Sequence, residues 1–163
     1  MVFYQLTQRI FLAVPPASLC VVLFAMAGSA VAGTLDQLAG SWGGSGTYTL
    51  NDGSREKLRC DAFYTGSSGQ LNMAIRCTGA TNKIEIRSKL RETGTSLSGT
   101  WEERTYNAEG TASGTASGSR LSLSIQGGVS GSMDVSYTGS NQNVSISTIG
   151  IPLKSVSISL KRR

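Results

Sequence analysis

The sequence predicts an all-β fold: an antiparallel up-and-down meander of about 8–10 short strands, closed as a small barrel, with a β-sandwich as the alternative. Three observations predict it. Apolar and polar residues alternate with period two through most of the chain after residue 33. Clusters of Gly, Asn, Asp and Ser separate these runs at short spacing, and no convincing helix falls between them. Two independent side-chain pairs also agree on a single hairpin register. A flat sheet of so many twisted strands would leave two edges and one apolar face exposed, and closure removes both.

The register argument lies in Leu58–Cys77. A run from Leu58 to Thr65 is followed by Gly66-Ser67-Ser68-Gly69 and then by Leu71 to Cys77. With Ser68-Gly69 as a two-residue turn, position 67 faces 70 and the pair types alternate outward. Cys60 then lies opposite Cys77 at a non-hydrogen-bonded pair, where Cα atoms approach to about 4.5 Å, within disulfide reach. The same register sets Asp61 against Arg76 on the other face, an attractive cross-strand pair.

Residues 1–32 read as a cleaved signal peptide, and 33–163 as a single β-barrel domain. Arg9 supplies a positive start, an apolar run extends from Ile10 to Ala27, and Ala30-Val31-Ala32 is an A-x-A cleavage pattern that leaves Gly33 first. Cys20 departs with the leader. The mature chain is then routed to the periplasm or the exterior, an oxidising setting for Cys60 and Cys77. The first strand opens at Leu38-Ala39-Gly40-Ser41-Trp42. Trp42, Tyr48 and Leu50 share one parity with Gly44 and Gly46, glycines that suit a sharply bent strand. Asn51-Asp52-Gly53 turns the chain into the cysteine hairpin. After Gly79–Asn82, Ile84, Ile86 and Leu90 face in, while Lys83, Glu85, Arg87, Lys89 and Arg91 face out. A turn centred on Gly94-Thr95 sets Glu102 against Arg87 and Arg104 against Glu85, with Leu97, Gly99 and Trp101 inside. Thr111–Gly114 and Thr115–Gly118 repeat the same four residue types and read as a thin strand of small side chains. Leu121, Leu123 and Ile125 begin the remaining runs, followed by those at Met133–Tyr137, Val144–Ile146 and Val156–Leu160.

Charge and composition exclude several classes of function. Without Arg9 the chain carries fourteen basic and ten acidic residues, and Lys161-Arg162-Arg163 at the C-terminus supplies much of the excess. Nucleic-acid binding is a poor explanation of so small a surplus. There is no histidine, hence no Ser-His-acid or Cys-His arrangement and no ordinary metal cluster. Glu102 and Glu103 point to opposite faces of a strand and form no carboxylate dyad. The expectation is a monomer that is not an enzyme, with no cofactor or metal and no stable membrane insertion once the leader is removed.

Leu38-Ala39-Gly40-Ser41-Trp42 resembles the first-strand signature of avidin-like and lipocalin-like small barrels, and Leu97-Ser98-Gly99-Thr100-Trp101 repeats its form. The mature sequence also resembles exported β-proteins of unassigned role from rhizobial-type alphaproteobacteria. Its leader, G-x-W strand and single disulfide are similar to those of small periplasmic barrel inhibitors of secreted metalloproteases. The first resemblance implies a barrel with a cavity. It names no ligand, because no biotin-contact set and no second lipocalin motif is present. The expected function is therefore an exported binding protein of the cell envelope that encloses a small apolar or amphipathic ligand. The alternative is an interaction or inhibitor module that meets an envelope protein through its loops. The candidate ligand contacts are Trp101, Glu103, Tyr48, Tyr64, Met73 and Trp42. Trp101 is expected at the ligand and Trp42 at a plugged barrel end. Glu103, facing inward beside Ile86, needs a partner that a bulge, the rim or a cationic ligand group could supply. An interior of at least about 300 Å³ would favour a carrier, and a filled one would favour the loops.

Overall fold

The computed structural model describes residues 33–163, so the leader reading of residues 1–32 lies outside the described residues. Ten antiparallel strands follow one another around a closed barrel: β1 (Gly40–Leu50), β2 (Arg55–Thr65), β3 (Gln70–Thr78), β4 (Lys83–Thr93), β5 (Ser96–Glu103), β6 (Ala108–Ser117), β7 (Arg120–Gly127), β8 (Ser130–Thr138), β9 (Asn141–Ile149) and β10 (Leu153–Arg162). The barrel, not the sandwich, is the observed architecture. Each strand pairs with its sequence neighbours, and β1 with β10 completes the ring, with Trp42 opposite Arg162. Closure leaves no sheet edge unpaired. Gly44 permits this last pairing. A side chain there would place Cβ 2.0 Å from the Ser159 carbonyl oxygen.

The cysteine hairpin has the register its sequence predicts. Cys60 stands opposite Cys77 and Asp61 opposite Arg76, and the two sulfurs are joined in a disulfide. The expected ion pair does not form, because Asp61 turns to Arg163 and Arg76 to Glu85 on the next strand. Ser68 and Gly69 both have positive φ, as a type I′ turn requires. The second register holds as well: Arg87 lies opposite Glu102, and the Arg104 amide bonds to the Glu85 carbonyl. Outside, Glu85 collects Arg87 at 2.9 Å, Arg76 at 3.5 Å and Arg104 at 3.8 Å. These pairs are partly exposed and contribute little each. The Thr111–Gly118 repeat falls within β6 and its turn, with Ala112 and Ala116 buried.

The apolar parity of every strand points inward and the Ser, Thr and charged parity outward, the reverse of a lipid-facing barrel. Among the described residues no helix is long and apolar enough to cross a membrane.

The first strand begins later than the sequence suggests. Asp36–Leu38 form a 3-10 turn and β1 starts at Gly40. This turn carries Leu35 and Leu38 across one end of the barrel, where both are fully buried. Tyr137 holds the segment by donating its hydroxyl to the Thr34 carbonyl at 2.9 Å. Arg162 donates to the carbonyls of Ala39 at 2.6 Å and Gln37 at 2.7 Å. Beneath lies Trp42, with no exposed surface, its indole N–H donated to the Leu38 carbonyl at 3.0 Å. The Arg162 guanidinium sits 4.2 Å above its ring. This end is closed. At the other end are the turns following β1, β3, β5, β7 and β9, and there the interior opens.

Candidate functional site

A cavity of about 570 Å³ occupies the half of the barrel nearest these five turns. Its wall is almost entirely apolar and comes from strands all around the ring: Ile84 and Ile86 of β4, Leu123 of β7, Met133 of β8, Ile146 of β9 and Val156 of β10. Alternation puts these residues inside, and small neighbours leave the space. Trp101 on β5 pairs with Gly110 of β6, and Ala112 comes next on the same face. A thin strand beside a large indole leaves room that two bulky side chains would fill. Trp101 keeps its ring at the wall by donating Nε1–H to the Gln126 carbonyl at 3.2 Å.

The structure divides the six sequence candidates by height along the barrel axis. Trp101, Glu103 and Tyr48 line the cavity. Trp42, Tyr64 and Met73 face inward too, but they are buried in the packed closed end and do not line it. The Trp42 and Tyr64 ring centroids are 6.5 Å apart, and Gln142 donates its side-chain amide to the Tyr64 hydroxyl at 3.2 Å. Burial pushes the Tyr64 phenol well above its ordinary range.

Glu103 sits at the rim and already has partners. One carboxylate oxygen accepts the Glu85 amide at 2.8 Å and the other the Tyr106 amide at 2.6 Å. The carboxylate therefore stabilises the turn between β5 and β6 and needs no cationic ligand to satisfy it.

The mouth also holds a polar cluster that the sequence reading missed. Tyr48 donates its hydroxyl to Glu56 at 2.6 Å and accepts from the Asn82 amide at 2.7 Å. Thr81 gives Glu56 both its hydroxyl, at 2.6 Å, and its backbone amide, at 2.9 Å. Tyr106, two-thirds exposed, donates its hydroxyl to the Asn82 carbonyl oxygen at 3.1 Å. The cluster ties β1, β2 and the turns after β3 and β5 into one side of the opening. Only the inward parity of Tyr48 pointed to it, since its other members sit in turns or at a strand end, where alternation says nothing.

The hydrogen bonds from the Thr81 hydroxyl, the Tyr48 hydroxyl and the Thr81 amide lower the Glu56 carboxyl from its ordinary 4.5 to about 2. Because the folded value lies below the unfolded one, the stabilisation is complete above the ordinary carboxylate range. It is lost as pH falls through about 2. An NMR titration of side-chain carboxyl carbons should place the Glu56 midpoint near pH 2, and Thr81→Ala should move it upward. A wild-type midpoint in the ordinary range would contradict the cluster.

The sequence matches no family model and no curated protein. Solved structures similar to it include Rv2717c from M. tuberculosis, 16% identical, at a TM-score of 0.64 over 79% of this chain and 94% of that one. They also include the S-type phycobiliprotein lyase CPES from Guillardia theta, 11% identical, at a TM-score of 0.57 over 79% of this chain and 89% of that one. The likeness is one of fold. It extends the barrel architecture to chains that share little sequence with this one.

Proposed function

We propose that this chain is an exported, non-catalytic binding protein of the cell envelope that encloses a small apolar molecule in the open half of its barrel. The single observation that carries the reading is the cavity of about 570 Å³ with its almost wholly apolar wall. That volume falls within the range of small-molecule sites, about 300–1,000 Å³. A chain meant only to present loops has no need of such a space, since interiors otherwise pack densely. Export is supported by the Cys60–Cys77 disulfide, which persists in oxidising compartments, and by the leader pattern ahead of Gly33. The non-catalytic reading rests on the chemistry available. The sequence has no histidine, and both Glu103 oxygens are engaged by backbone amides. The name of the lyase neighbour carries no activity to this chain at 11% identity.

The two tryptophans test the reading. Nile red, an uncharged apolar dye, is titrated into the wild type, Trp42→Phe and Trp101→Phe while tryptophan emission is followed. Dye in the cavity should quench Trp101 strongly, so the response persists in Trp42→Phe and largely disappears in Trp101→Phe. The opposite pattern would place the dye at the closed end and overturn the site. No dye binding in any of the three would favour the interaction or inhibitor module, acting through the exposed Tyr106 and Ile149 near the mouth.

A further inference from the structure

We infer that the cavity selects ligands by charge, taking an uncharged apolar molecule with at most one hydrogen-bonding group and rejecting anionic amphiphiles. This deepens the binding reading above and rests on it. No lysine or arginine lines the cavity. The cations near the mouth, Arg55, Lys83, Arg104 and Lys154, are all exposed, and none contributes to the wall. A carboxylate or phosphate carried into the wall would lose its water and meet no countercharge, which is strongly unfavourable.

An anion resting at the mouth reaches the exposed Arg55, Lys83, Arg104 and Lys154 only through water, where an ion pair contributes little. It would meet the carboxylates of Glu103, on the rim, and Glu56, held ionised behind Tyr48 and Asn82. The hydrogen-bond donors there are already committed. The Tyr48 hydroxyl goes to Glu56, the Tyr106 hydroxyl to Asn82, and the Thr148 hydroxyl to the Leu153 carbonyl. A cationic head is drawn toward those carboxylates, but Glu56 already accepts from Tyr48, Thr81 and Asn82 and each Glu103 oxygen from an amide. An ammonium would thus give up its water for groups already hydrogen-bonded. Deeper in the wall, Ser88 pairs with Trp101 across β4 and β5 and is largely buried. Among the described residues its hydroxyl is the one in the cavity wall without a protein partner. A hydroxyl can donate or accept, so Ser88 suits one neutral polar group beside the indole.

The experiment uses three probes with one tail: 1-dodecanol below its solubility limit, and dodecanoate and dodecylammonium below their micelle concentrations, at about pH 8, where the acid and the amine are both charged. Each displaces Nile red from the wild-type protein. Dodecanol should displace the dye at a concentration at least about tenfold lower than dodecanoate, the discrimination expected of one unpaired buried charge. It should also bind more tightly than dodecylammonium. A dodecanol-to-dodecanoate ratio below tenfold, or dodecylammonium as the tightest probe, would overturn the selectivity while leaving the cavity as a binding site. If Nile red itself fails to bind, the binding reading falls first.

Discussion

Trp42→Ala should destabilise the barrel by about 3–5 kcal/mol, the range for deleting a fully buried aromatic side chain. Trp42 has no exposed surface, and its neighbours cannot easily collapse into the space it leaves. Tyr64 is held by Gln142, Leu38 belongs to the 3-10 turn above, and Arg162 is anchored to the carbonyls of Ala39 and Gln37. The substitution also leaves the Leu38 carbonyl without its indole donor and Arg162 without the ring beneath it. Trp42→Phe keeps most of the volume and should cost clearly less, which is why it serves as the fluorescence variant. Urea unfolding measures both: the midpoint should fall with the slope unchanged. A Trp42→Ala cost below about 1 kcal/mol would mean that the closed end is not packed around this residue.

How much of this was legible in the sequence depends on the range of each interaction. The face of every strand follows from a period of two, so the inward placement of Trp42, Tyr48, Tyr64, Met73 and Trp101 could be read directly. Their height along the barrel could not. It depends on the stagger accumulated around ten strands, and so Tyr64 and Met73 read as cavity residues although they pack in the closed end. Registers set by tight turns were legible wherever two side-chain pairs agreed, as at Cys60/Cys77 with Asp61/Arg76. Ring closure was legible only as a means of avoiding edges. The pairing of Trp42 with Arg162 joins the two ends of the described chain and has no local signature.

Arg162 is the clearest case of a residue whose part was hidden. In the sequence it belongs to a terminal run of basic residues and counts only as charge. In the structure it binds two backbone carbonyls and covers an indole, fixing the plug that closes one end. Glu103 was hidden differently. Its inward direction was legible as a conflict with burial, but the amides of Glu85 and Tyr106 that resolve it come from a neighbouring strand and a turn. Backbone donors of that kind leave no mark on residue identity.

Reducing the Cys60–Cys77 disulfide, or replacing both cysteines by serine, should lower stability by roughly 3 kcal/mol in the chain-entropy model. The two residues are 17 apart in sequence, so the bridge removes the freedom of a loop of modest length from the unfolded chain. Both positions are buried beside inward neighbours, Ala62 on β2 and Ile75 on β3, so the serine pair adds some cost from the exchange of sulfur for hydroxyl. Comparing reduced wild type with the double serine variant separates the two contributions, because only the variant carries the hydroxyls. The hairpin itself should survive reduction: the Ser68-Gly69 turn and the backbone ladder between β2 and β3 keep the same register without the bridge. Denaturation of the oxidised and reduced protein side by side checks the magnitude, and mass spectrometry with thiol labelling checks the linkage. Equal midpoints for the two forms would mean that the unfolded chain is already held together in this region, and the entropic account of the bridge would fail.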